Sequence, residues 1–303
     1  MLRLAAVVIA VIGFSFAGCK KEKDNTDTNS MQQLSKDEVA IQAASDDMLN
    51  DVNTVLSGGS KKSLETFPCN VSVDSSSIVG DTIIYAITFN GLNCAGNRMR
   101  VGTATVKRSQ LTHWYQAGTS VIVHLNHLVI TKVYSNKSLT LDGTKIYTNV
   151  SGHVLAELGN GTVTSIVHRV SGTIQATFDD GTTRIWNIAR QRTFTGTPTS
   201  LIVTYDGYGS ADGYNNLVIW GTNRNNEPFY TQLTQSVVTK ESCGWDPESG
   251  VKIHQIPGAG KSCTITFGYD NNEQLVTGNN CATMYKLDWV KGAHHGTIYL
   301  PLP

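Results

Sequence analysis

Cys19 is the residue whose neighbours define its chemistry most narrowly. Arg3 gives a positive start, residues 4–16 a short apolar run, and Phe16-Ala17-Gly18-Cys19 fits the lipobox. Such a signal is cleaved before the cysteine. The exposed cysteine then carries diacylglycerol on its sulfur and a fatty acid on its nitrogen, and several acyl chains make attachment stable where one would not. The apolar run is too short to span a bilayer comfortably. The reading is a signal peptide over 1–18 and lipidation at Cys19. The mature chain is then expected outside the cytoplasm, tethered to a membrane, with the outer membrane the expected one and the leaflet left open.

Other reactive side chains carry weaker patterns. Pro257-Gly-Ala-Gly-Lys-Ser262 has the end of a phosphate-binding loop, but Gln255 stands where its first glycine belongs, and a strand rather than a helix follows. A hairpin turn is expected there. His124 and His127 stand three apart, which on a regular strand puts them on opposite faces; only a bulge would bring them together. His294 and His295 are adjacent and diverge for the same reason. No metal site is expected, since zinc needs three or four convergent ligands. No Gly-x-Ser-x-Gly elbow occurs. Glu157, Glu241, Asp246 and Glu248 could each serve in a hydrolase, yet nothing in the sequence pairs two of them. No catalytic residue and no cofactor is assigned.

The one stretch suited to a ligand is Tyr205-Asp206-Gly-Tyr208-Gly-Ser-Ala-Asp212-Gly-Tyr214-Asn-Asn216. Aromatic faces pack on sugar C–H groups while neighbouring polar tips take hydroxyls. Tyr205, Asp206, Tyr208, Asp212 and Tyr214 are therefore candidate glycan-binding residues, with Trp220, Phe229, Tyr230 and Trp245 nearby in sequence. The competing reading is an ordinary Gly- and Asp-rich hairpin loop. Calcium at Asp206 and Asp212 is a lesser option, because the spacing does not fit an EF-hand.

These residues need elements to position them. Residues 20–34 hold almost no apolar side chain and read as a tether. Ser35 and Glu38 form a capping box, and Ile41, Ala44, Met48, Val52 and Val55 recur at helical spacing, predicting a helix over 35–57 with Asp46, Asp47 and Asp51 on its wet side. From residue 66 onward the chain reads as strands. Ile83, Tyr85, Ile87 and Phe89 share one face, as do Ile174, Ala176 and Phe178. Asn90-Gly91, Asp142-Gly143, Asn160-Gly161 and Asp180-Gly181 read as turns. A three-residue Asp179-Asp180-Gly181 turn would set Ile174 opposite Trp186. The fold class is all-β: an antiparallel meander (curved sheet, sandwich or half-barrel) with one short N-terminal helix. It is one domain or two meander halves, 66–195 and 196–303.

The chain of 303 residues is 40% apolar, enough for a full core. Loss of 1–18 removes only Arg3 among the charges and leaves a formal net charge of −1. That balance gives no reason to expect nucleic acid, and the linear sequence shows no polybasic patch for an anionic membrane. Beyond Cys19 there are five cysteines. Cys69, then Ile87-Thr88-Phe89, then Gly91-Leu92-Asn93-Cys94 is echoed by Cys243, Ile265-Thr266-Phe267 and Gly278-Asn279-Asn280-Cys281. The echo implies Cys69–Cys94 and Cys243–Cys281 disulfides, with Cys263 a buried thiol beside Ile265 and Phe267. Cys263–Cys281 stays a competing pairing.

The acyl-cysteine followed by lysines, one helix, and a long β region with Cys…Ile-Thr-Phe…Asn-Cys resembles uncharacterised lipoproteins of Bacteroidota. Asn97-Arg98-Met99-Arg100-Val101-Gly102 and Gly172-Thr173-Ile174-Gln175-Ala176-Thr177-Phe178 add to the resemblance, which implies location and fold class and no known reaction. Three function classes follow: a non-catalytic structural or assembly component of the cell envelope with a protein partner, a polysaccharide-binding lipoprotein, and a glycoside hydrolase with unrecognised carboxylates. The first is the leading expectation.

Overall fold

The structure is a computed structural model that describes residues 69–278 and 280–302, and nine residues between 31 and 44. Cys19, residues 1–18 read as a signal peptide, the aspartates at 46, 47 and 51, and the expected helical positions Met48, Val52 and Val55 lie outside the described residues. Met31, Gln33, Leu34, Ser35, Asp37, Glu38, Ala40, Ile41 and Ala44 belong to one helix, α1. Helix therefore begins before Ser35, which sits within it rather than at its N-cap, and Met31, Gln33 and Leu34 are helical rather than tether. The reason is packing: Met31, Leu34, Ile41 and Ala44 are all buried in the main core, and burial of that stripe outweighs the local capping preference.

The rest is antiparallel sheet, as the alternation predicts. The strands are β1 (Val71–Val79), β2 (Thr82–Leu92), β3 (Arg98–Ser109), β4 (Thr119–Lys132), β5 (Lys137–Asn149), β6 (Ile166–Phe178), β7 (Thr183–Thr197) and β8 (Ser200–Gly207). They continue as β9 (Gly209–Ala211), β10 (Tyr214–Thr222), β11 (Pro228–Lys240), β12 (Pro247–Ile256), β13 (Lys261–Tyr269), β14 (Met284–Lys291) and β15 (His294–Pro301). Each pairs with its sequence neighbour in one 15-stranded sheet, except around β8 to β10. There β7 and β11 each pair with both β8 and β10, closing a ring of pairings. The register explains it: Arg190–Thr197 of β7 lie beside β8, and Ile185–Ile188 beside β10. β8 and β10 thus form one row end to end, and 208–216 leaves that row as a small hairpin. The sheet runs through residues 195 and 196, a boundary that falls inside β7, so the two proposed halves share one sheet and one core.

Antiparallel order sorts the connections onto two rims. The β2–β3, β4–β5, β6–β7, β10–β11, β12–β13 and β14–β15 turns share a short-turn rim; the 150–165 and 270–283 loops lie on the opposite, loop rim. The sheet must curl. α1 lines a cleft with Arg98 of β3 and also reaches Lys252 of β12, seven strand spacings away. Laid flat, that is about 34 Å, against a helix only about 10–12 Å wide. Glycines inside strands permit this coiling. At Gly143 (φ +137°) a Cβ would lie 2.3 Å from the Thr173 carbonyl oxygen, and at Gly172 (φ +139°) 2.1 Å from that of Thr144. Asp142-Gly143 is therefore a mid-strand kink in β5 rather than a turn, and Asn90-Gly91 likewise lies within β2.

Several other local predictions hold. Ile174 pairs with Trp186 around a three-residue turn, and Pro257–Ala259 make the tight link from β12 to β13. Cys69–Cys94 and Cys243–Cys281 are at disulfide distance, with Cα–Cα separations of 5.0 and 5.5 Å. Each closes the open end of a hairpin whose second strand carries Ile-Thr-Phe, so the sequence echo is a structural one. Cys263 is free and buried on the face of Ile265 and Phe267.

Candidate functional site

The candidate tyrosine loop is split by strand parity. Tyr205 faces the interior, where Arg190 and Arg192 lie over its ring at 5.4 and 5.9 Å. Asp206 faces outward and accepts a hydrogen bond from the Ser236 hydroxyl. Beyond them the 208–216 hairpin folds onto the outer face. The Tyr208 hydroxyl donates to the Val170 carbonyl at 3.3 Å, and Arg169 covers its ring at 4.8 Å. Tyr214 stacks on Tyr230 at 4.3 Å, and Tyr230 donates to Asp212 at 2.5 Å. That hydrogen bond, more than burial, pushes the Tyr230 hydroxyl up to about 12. The structure thus joins Asp212, Tyr214 and Tyr230 but leaves no row of open ring faces. Trp245 stands apart on the β11–β12 connection.

Three of the four carboxylates considered for hydrolysis have holding roles. Glu157 sits 2.9 Å from His153, Glu241 accepts the Leu201 amide at 3.0 Å, and Glu248 accepts the Ala282 amide. Asp246 forms no such pair among the described residues, and burial raises its carboxyl. A bulge between Leu125 and Leu128 turns His127 (φ +51°) outward beside His124, against the expectation from a regular strand. The two histidines engage different partners: His124 meets Thr144 at 3.0 Å, and the Asp142 carboxylate accepts the His127 amide at 2.7 Å.

The densest chemistry lies inside the curled sheet, where inward positions carry cations on aromatic rings. Lys145 lies 5.3 Å from the Trp186 ring, Arg184 4.3 Å from Phe229, and Lys252 5.7 Å from Phe267. α1 supplies the counter-charges. Lys252 Nζ donates to Glu38 at 2.8 Å, His254 Nδ1 lies 3.5 Å from the same carboxylate, and Arg184 donates to the Leu34 carbonyl at 3.3 Å. Burial alone would raise the Glu38 carboxyl, but Lys252, His254 and Arg184 more than offset it and hold it near 2. Burial lowers His254 to about 4 despite Glu38, so this imidazole is neutral at pH 7. Thr231 fixes its ring through a 2.8 Å hydrogen bond. One residue earlier, Asp37 takes a fork from Arg224 at 2.7 and 2.8 Å, and Arg224 also reaches Asp180 at 2.9 Å.

No family model, curated protein or solved structure matches the chain. Where α1 lies along the short-turn rim, a cleft of about 530 Å³ remains between the helix and the ends of β3–β5. Asp37 and Arg224 form one wall; Arg98, Lys132 and Lys137 form the other. The cations inside the sheet were missed from sequence. The alternation Arg184-x-Trp186-x-Ile188-x-Arg190-x-Arg192 would have revealed them, because it places three charges and two apolar side chains on one strand face. Cys243, Glu248 and Cys281 offer ligand atoms within 4.8 Å of one another, but the two cysteines are joined as a disulfide.

Proposed function

We propose that the chain is a lipid-anchored, non-catalytic component of the cell envelope, acting as a structural or assembly element on the outer membrane. The observation that carries this reading is that the concave interior, where a curled sheet would hold a ligand, is occupied by the chain's own helix. Glu38 and Asp37 lock that helix to Lys252 and Arg224. Those charges are engaged with one another, not presented to a substrate. The same helix lies directly after the anchor. Twelve residues separate Cys19 from Met31, a reach of at most about 43 Å fully extended. The domain is thus held close to the bilayer, and any load on the anchor passes into the core. Replacing Cys19 with alanine is expected to move the protein from the membrane fraction to the soluble fraction. An unchanged membrane fraction would overturn the anchor.

A further inference from the structure

We propose that the short-turn rim around the β4–β5 turn is a membrane-docking surface for the phosphate headgroups of an anionic bilayer, an inference that rests on the lipid-anchor reading for its orientation. Three observations carry it. The first is charge placement: pairing sets Arg98 opposite Lys132, and Lys132 opposite Lys137, across three adjacent strands. Like charges directly opposite one another destabilise a sheet. Lys132 and Lys137 are exposed and form no ion pair among the described residues. The carboxylates across the cleft are Asp37, Asp179 and Asp180, of which Asp37 and Asp180 are taken by Arg224. An anionic surface would relieve the two lysines.

The second observation is the tip between the two lysines. Val133 is 54% exposed, and Tyr134 is fully so. An apolar and an aromatic side chain flanked by lysines is the composition that settles at a bilayer interface, the ring among headgroups and the ammonium groups on phosphates. The third is position. Gln33, Asp37, Ala40 and Ala44 of α1 all line this same cleft, so the helix that follows Cys19 in the sequence lies along this rim. A linear polybasic segment is absent, yet strand register assembles a local one from three separate strands.

The test uses the unacylated mature chain, Cys19→Ser, sedimented with phosphatidylcholine vesicles with or without phosphatidylglycerol. Binding to the phosphatidylglycerol vesicles alone is expected. Lys132→Ala with Lys137→Ala should weaken it about 30-fold, from about fivefold per lysine at an anionic surface. Tyr134→Ser should weaken it too, and neither variant should lower the thermal unfolding midpoint, the lysine variant if anything raising it by removing opposed like charges. Inorganic phosphate should compete no better than chloride at equal ionic strength; stronger competition would indicate a free-phosphate site and overturn docking. Absence of binding, equal binding to neutral vesicles, or binding indifferent to the lysines would also overturn it. In those cases the acylated wild type would still fractionate with membranes, so the anchor would stand while docking fell.

Discussion

Glu38→Ala should destabilise the fold by about 3–5 kcal/mol, the cost of removing one partner from a buried ion pair. Glu38 is 1% exposed, and its loss leaves Lys252, Arg184 and His254 without their shared anion. Replacing Glu38 and Lys252 together with methionine should recover part of the loss, because Lys252 is then no longer an uncompensated charge, while the buried Arg184 still lacks the Glu38 carboxylate. Urea unfolding curves of the three proteins check this; a single variant within 1 kcal/mol of wild type, on the order of a surface change, would mean that α1 is not locked by this pair. The pH dependence has two windows. His254 titrates at about 4 in the fold against an ordinary 6.5, so the unfolded chain binds more protons between those values, and stability falls as pH drops from 6.5 to 4. Glu38 titrates at about 2 against an ordinary 4.5. Its contribution is complete above 4.5 and is lost as pH falls from there to 2. Glu38→Ala should abolish the Glu38 window and extend the His254 window to lower pH, because Glu38 no longer favours the charged imidazole.

Breaking either disulfide should cost about 3–4 kcal/mol in the chain-entropy model, slightly more for the longer loop. The bridges span sequence separations of 25 and 38 residues. Cys69→Ser and Cys243→Ser, each compared with wild type in urea, measure the two effects. Peptide mapping without reductant should link Cys69 to Cys94 and Cys243 to Cys281. Cys263 should resist alkylation until the protein unfolds, since it is 1% exposed and burial pushes its thiol up to about 12. Rapid labelling of the native thiol, or a Cys263–Cys281 peptide, would contradict this arrangement.

Much of the sheet is legible in sequence because period-2 alternation and cross-strand pairing are local. Ile174 and Trp186 fix their own turn, and the cysteine echo fixes two hairpins. Glycine is less legible, since one residue type serves two needs. Gly181 supplies a turn, whereas Gly143 lets β6 approach the strand before it, and Asp-Gly precedes neither distinctively. The tyrosine loop divides because β8 continues into β10 as one row, which the linear spacing of 205–214 does not reveal. The interior charges are the hardest to read. Glu38 and Lys252 are 214 residues apart, and Leu34 and Arg184 150. Each looks like a solvated surface group until the sheet curls around α1.

The anchored chain with its helix built into the core is tested most directly by the intact mass of the protein extracted from membranes. A mature polypeptide beginning at Cys19 and carrying diacylglycerol plus an amide-linked acyl chain is the predicted result. A chain that retains residues 1–18, or a processed one with an unmodified Cys19, would contradict it.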